Sequence, residues 1–168
     1  MSQTYTSAGT SVNSRRLPAV YRKFPARFGG LLLDYGCGRY IDHIRNVVEV
    51  AAKMSYLPYD PYNQPEETNR KTWEAVRWAA HNGIPVDVVC SNVLNVIDDD
   101  DTVRSIVQQI ATIAHSTGGT AYVTVYEGDC SGVGRQTGKD QYQRNQPLEY
   151  YTRFADRGSI QHGMIVIK

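Results

Sequence analysis

Leu31-Leu32-Leu33-Asp34-Tyr35-Gly36-Cys37-Gly38-Arg39 decides the fold. Three consecutive leucines carry no period-two alternation, which suits a short strand (Leu31 to Tyr35) buried on both faces of a sheet. The run ends in an acid and two closely spaced glycines. Directly afterwards Ile41, Ile44, Val47, Val48, Ala51 and Ala52 recur at helical spacing, so a strand passes through a tight turn into a helix. Glycines there let the backbone bend and approach a ligand with no Cβ in the way, and the helix start adds free N–H donors.

Working outward, the same alternation continues. Ser55 to Tyr59 is a weaker strand whose Pro58 limits ladder pairing. Pro65 to about Asn82 reads as a helix with Glu66 and Glu67 in its first turn and Gly83 past its end. Val86 to Cys90 is the next buried strand. The acids Asp98 to Asp101 cap a helix with the apolar face Val103, Ile106, Val107, Ile110, Ile113 and Ala114, ending at Gly118 and Gly119, and are a helix start rather than a metal cage. Thr120 to Tyr126 alternates and is rich in β-branched and aromatic residues, the clearest strand of the chain. Glu127 to Gln146 holds four glycines and shows no period, which predicts a long functional or mobile loop. Pro147 to about Arg157 reads as a helix using Leu148, Tyr151 and Phe154, and Ile160 to Ile167 as one closing strand.

Strands interleaved with helices predict an α/β fold: a mainly parallel sheet of five to six strands with helices on both faces and right-handed crossovers. Ligands of such sheets sit beyond the carboxyl ends of the strands. That rule gathers Tyr35 to Arg39, Asp60 to Asn63, Ser91 to Asn95 and Tyr126 onward on one rim.

The 168 residues fit one compact domain over 15–168. Residues 1–14 include seven Ser or Thr and almost no large apolar group, which predicts a disordered tail. Arg15 to Phe28, with Leu17, Val20, Tyr21, Phe24 and Phe28, predicts a short amphipathic helix broken near Pro25 and covering one side of the site. A net charge of +1 excludes a general nucleic-acid-binding field of the histone kind, so any such role needs a local patch. No long apolar run or secretory leader pattern is present, and the expected location is cytoplasmic with no membrane partner. Cys37, Cys90 and Cys130 are odd in number and far apart, which argues for reduced thiols and against a disulfide framework or zinc site.

A dinucleotide fingerprint would place a third glycine where Ile41 stands, and Asp34 before the first glycine would repel a pyrophosphate. An acid suits a cationic ligand. Asp34, Gly36 and Gly38 match the acid-x-Gly-x-Gly first motif of class I S-adenosylmethionine-dependent methyltransferases, with Tyr40 where many members carry another glycine. In the context Tyr59-Asp60-Pro61-Tyr62, Asp60 stands at the second strand end, where a carboxylate can accept ribose hydroxyls; read alone, it is a turn residue before Pro61. Asp87 to Ile97 resembles the family's fourth motif. It departs from the Pro-Pro-aromatic signature of enzymes that methylate exocyclic amines of DNA bases.

Over Leu31 to Tyr126 the chain resembles this superfamily, and also the methyltransferases associated with DNA phosphorothioation and similar phage-type proteins. The resemblance implies a minimal Rossmann-like sandwich that binds S-adenosylmethionine and yields S-adenosylhomocysteine. It places Asp34, Tyr35, Gly36, Cys37 and Gly38 at the methionine end, Asp60 and Pro61 on the ribose, and Cys90 and Ser91 by the amine. Asn92 then lies near the transferred methyl as the catalytic candidate, although Asn92 and Asn95 can equally be loop residues bonding their own backbone. Two family features are not found: a third strand between Asp60 and Val86, and a terminal hairpin after Pro147. In-line methyl transfer needs alignment and no metal or covalent nucleophile. His43, His81, His115 and His162 are scattered accordingly, and Cys37 reads as a small residue that fits. Arg135, Lys139 and Arg144, with Tyr142 and with Tyr126 just before them, are the candidate substrate contacts; the segment suits a phosphate and a stacked base, or is a solvated loop. The acceptor, small molecule or nucleic acid, is open. A non-catalytic S-adenosylmethionine-binding accessory protein is the alternative, and an NAD-dependent oxidoreductase a third.

Overall fold

The computed structural model describes Tyr5, residues 16–23 and residues 30–168. The expected tail over 1–14 lies outside them except for Tyr5, as does much of the segment 15–28. Its described part forms a 3₁₀ turn, Ala19–Arg22, with Val20 and Tyr21 buried.

The leucine run forms β1 (Leu31–Tyr35). Leu33 and Tyr35 face one core layer and Leu32 the other, as a strand buried on both sides requires. The chain continues through α1 (Asp42–Arg45), which widens into a π-turn over Asn46–Ala51, to β2 (Ser55–Tyr59). Then come α2 (Glu66–His81), β3 (Val86–Ser91), α3 (Asp100–Thr117) and β4 (Ala121–Thr124). β1 pairs in parallel with β2 and β3, and β3 in parallel with β4. β2 is an edge strand, which is where Pro58 costs least because its missing N–H faces outward.

Beyond β4 the chain differs from expectation. β5 (Arg135–Gly138) and β6 (Gln141–Gln143) form a separate antiparallel hairpin inside the supposed loop. α4 is short (Leu148–Thr152). Its expected last turn gives way to i→i+3 bonds from Phe154, Ala155 and Gly158 that turn the chain into β7. The closing strand is two strands, β7 (Gly158–Gln161) and β8 (Met164–Ile167), joined at His162-Gly163, where both residues take positive φ (53° and 73°). Two such residues make the tight turn that matches strand twist. β8 pairs antiparallel with β4, so the sheet runs β2-β1-β3-β4-β8-β7, mixed but mainly parallel.

α2, α3 and α4 cover one face over a core that includes Val88, Ile110, Tyr151 and Ile167; α1 and the 3₁₀ turn cover the other over Leu32, Val48, Tyr56 and Val166. No strand forms between Asp60 and Val86. No helix among the described residues is long and apolar enough to cross a membrane.

Candidate functional site

β1 runs out to β2 on one side and the chain returns to β3 on the other, so the strand order reverses between β1 and β3. Beyond the carboxyl ends of these strands lies a cavity of about 730 Å³, within the usual range for ligand sites. Asp34, Tyr35, Gly36, Cys37, Asp60, Pro61, Ser91, Asn92 and Tyr126 all line it. The two acids therefore do meet at one hollow, and Arg16 and Pro18 from the N-terminal segment line it too.

Asp34 is 3% exposed. Tyr56 donates its hydroxyl to Asp34 Oδ2 at 2.5 Å, and Tyr21 also acts on this carboxylate. Burial pushes the Asp34 pKa up to about 6, against the lowering effect of the two phenols and with a further rise from Asp60. No cationic side chain among the described residues is ion-paired with it.

Asp60 performs a different task from the one its position suggested. Its Oδ2 accepts the Gly38 amide at 2.9 Å, and its Oδ1 accepts the amides of Tyr62 and Asn63, each at 2.9 Å. Asn63 Nδ2 adds bonds at 3.2 Å to both oxygens. A carboxylate offers about four lone-pair sites, so none is left for two ribose hydroxyls. Asp60 clamps the glycine turn to the β2 end. The turn is further tied by the Gly36 and Cys37 amides to Tyr59 O, at 2.7 and 3.1 Å, and by Gln64 Nε2 to Gly38 O at 2.6 Å. Gly36 has φ 79°, and a Cβ on it would lie 2.3 Å from Val93 Cγ2. The close neighbour that requires glycine there is Val93 from the β3 loop.

Other expected contacts also move. Cys90 is fully buried in the core, where burial raises its thiol pKa, and it does not line the cavity. Gly38 is buried and acts through its amide. The Cys37 thiol is likewise raised by burial and by Asp34 and Asp60, which makes it a poor nucleophile. Asn92 is exposed, with φ 57° and its amide bonded to Thr124 O at 2.8 Å. Asparagine tolerates that backbone.

Arg144 is not a surface contact. Its side chain is 7% exposed, its Nε donates to Ile97 O, and its Nη1 donates to Asp100 Oδ1 at 2.6 Å and to Tyr150 OH at 3.0 Å. It staples the chain after β6 to the start of α3. Arg144→Ala is expected to cost about 2 kcal/mol in urea denaturation, because Asp100 and Ile97 O lose their partner while Asp100, being half-exposed, recovers some solvation. A loss below ~0.5 kcal/mol would mean the guanidinium contributes nothing net.

Arg135 and Tyr142 line a second, shallower pocket of about 360 Å³ that shares Val96, Tyr126 and Gln143 with the cavity. Lys139 is exposed at the hairpin turn and lines neither. Asn63, Asn95 and Tyr126 stand on the expected rim, whereas His43 and Gln143 line the cavity without a sequence signal for it. Asn95 donates Nδ2 to Gln143 Oε1 at 3.0 Å, and Gln143 Nε2 donates to Tyr126 O at 2.9 Å. Asn95 Oδ1, Asn63 Oδ1 and His43 Nε2 are enclosed with no hydrogen-bond partner among the described residues, and all three residues line the cavity. Among the described residues no cluster of His, Cys, Asp or Glu could hold a metal ion.

No family model, curated protein or solved structure matches the chain.

Proposed function

We propose that the protein is a small S-adenosylmethionine-dependent methyltransferase of the class I, Rossmann-like type. Asp34 carries this reading: a buried carboxylate at the wall of an open cavity, held by phenols and by no cation among the described residues. Burying an unpaired negative charge is costly, and a ligand bearing positive charge relieves that cost, whereas a pyrophosphate adds to it. This favours a cationic nucleoside over NAD. Asn63, Asn95 and His43, which line the cavity, supply polar side chains around such a ligand. With Asp60 committed to the glycine turn, ribose contact falls to Asn63. The terminal hairpin β7–β8, a feature of the resembled family, also supports the reading.

When bound, S-adenosylmethionine supplies an electrophilic methyl carbon on a positive sulfur with a neutral thioether as leaving group. Asp34 holds the positive end, the Tyr35 and Tyr59 rings (4.9 Å apart) form an apolar wall, and Asn92 orients the acceptor at the mouth. Fixing these directions is enough for in-line displacement, since alignment alone supplies much of the acceleration.

Isothermal titration tests the site. S-adenosylmethionine and S-adenosylhomocysteine are expected to bind, with Asp34→Asn weakening the first by at least about tenfold, the loss of one charge-assisted contact. No heat with either ligand, or equal binding of NAD, refutes the assignment. Labelled-methyl transfer to a mixed panel of nucleic acid, protein and metabolites separates an enzyme from an accessory binder.

A further inference from the structure

The outer pocket is built differently from the cavity. Its walls come from the β5–β6 hairpin and the β4 exit, and they present Tyr126, Arg135, Thr137 and Tyr142. Tyr126 is 64% exposed although it is large and aromatic. An aromatic ring already rests on Tyr142: that of Tyr5, far away in sequence, stacks on it with centroids 5.4 Å apart and planes 10° from parallel. The Tyr142 face thus accepts a flat ring. Around the two adjacent hollows stand Arg16, Arg39 and Arg135, all exposed, and none forms an ion pair with another described residue. The acid of the outer pocket, Asp129, accepts the Ser131 amide at 3.0 Å and also feels the charge of Arg135, although the two form no ion pair.

An exposed Tyr126, a half-buried Tyr142 whose face takes a ring, and arginines without ion-pair partners among the described residues are the composition that holds nucleotides, through base stacking and phosphate contact. We propose that the methyl acceptor is a nucleotide unit, its base stacked at Tyr142 and Tyr126 and its phosphate on Arg135. Arg39 and Arg16 meet further phosphates when the unit belongs to a single strand. The word acceptor rests on the methyltransferase reading; the binding itself does not. In transfer, a lone pair of the base forms the bond to the methyl carbon, the carbon–sulfur bond breaks with its electron pair left on sulfur, and a proton displaced from the base passes to solvent.

Fluorescence anisotropy with labelled single-stranded DNA and RNA oligomers, competed by mononucleotides, tests the proposal on the full chain. Binding is expected to weaken about tenfold in Tyr142→Ala, the loss of one stack, and to persist in Tyr142→Phe, which keeps the ring. Arg135→Ala is expected to lower the salt dependence by about one phosphate contact. Tyr5→Ala is expected to tighten binding about two- to fivefold by clearing the platform, which a purely structural tyrosine would not do. Oligomers binding far better than mononucleotides identify a strand as the source, and equal displacement by mononucleotides identifies the free nucleotide. Absence of all nucleotide binding, binding indifferent to Tyr142→Ala, or binding not improved by Tyr5→Ala overturns the inference. Parallel titration with S-adenosylhomocysteine keeps the two proposals apart: cofactor binding without nucleotide binding sinks only this one, and the reverse sinks the reading beneath it.

Discussion

Asp34→Asn is expected to make the protein more stable at pH 7 and to weaken S-adenosylmethionine binding by at least about tenfold. The carboxyl has a pKa of about 6 in the folded chain against 3.8 for the ordinary group, with burial as the main cause. Below pH 3.8 both the folded and unfolded chains carry the proton, so this group contributes no difference. As pH rises from 4 to 6 the unfolded chain ionises first, the folded chain keeps its proton longer, and stability falls. Above pH 6 the penalty is complete. The shift sets an upper bound of about 3 kcal/mol. Asparagine removes the charge but leaves one of the phenols, Tyr56 or Tyr21, with a poorer acceptor, so a net gain of about 1–2 kcal/mol at pH 7 remains. Urea denaturation of both proteins from pH 4 to 8 should show curves that approach one another at the acid end, separate between pH 4 and 6, and stay a constant distance apart above it. Cofactor affinity should show the opposite preference, because a cation favours the ionised carboxyl: binding to the wild type weakens as pH falls through 6. A variant that is less stable at pH 7, or a wild-type affinity flat across that range, would remove Asp34 as the ligand's counter-charge.

Gly119→Ala is expected to be the most damaging single-methyl substitution at the α3–β4 junction. A Cβ there would lie 1.9 Å from the Val86 carbonyl oxygen and 2.5 Å from its carbon, so strand β3 or the turn itself has to move. Overpacking in a core costs about 1–3 kcal/mol when side chains can yield. Here the obstacle is backbone, and a loss of at least about 4 kcal/mol follows, a large part of the 5–15 kcal/mol typical of a domain. Neighbouring Gly118 is the control. It caps α3 at φ 71° with open space around its Cβ position, so Gly118→Ala pays only for the left-handed backbone, about 1 kcal/mol. Equal effects at the two positions in equilibrium denaturation would show that conformation and not contact requires both glycines.

The parallel half of the sheet was legible because burial on both faces writes itself as unbroken apolar runs, as in Leu31 to Leu33 and Val88 to Cys90. The rim followed from the same alternation. The β5–β6 hairpin was not legible, since Arg135 to Gly138 and Gln141 to Gln143 bury no apolar face and leave no period to read. The β7–β8 turn was hidden by His162 at a position where Asn or Asp is the familiar signal. Asp60 shows a different limit. Its place at the strand end was readable, but its partners are backbone amides brought in by the fold, and side-chain identity alone does not distinguish a ribose acceptor from a loop clamp. Arg144 belongs with it, because a basic residue in a polar segment reads as a surface contact until Asp100 and Ile97 are brought beside it.

The β5–β6 hairpin is fastened through amides at its base, Gln143 to Asn95 and Tyr126, Asn145 Nδ2 to Val133 O at 2.9 Å and Gln146 Nε2 to Gly132 O at 3.0 Å. None of these fastenings involves the tip, from Gln136 to Asp140. Such a tip is a replaceable module: it can be lengthened, recharged or grafted from another chain while the sheet keeps its foundations. Divergence within a lineage would accordingly alter the length and charge of this tip long before it disturbed the scaffold.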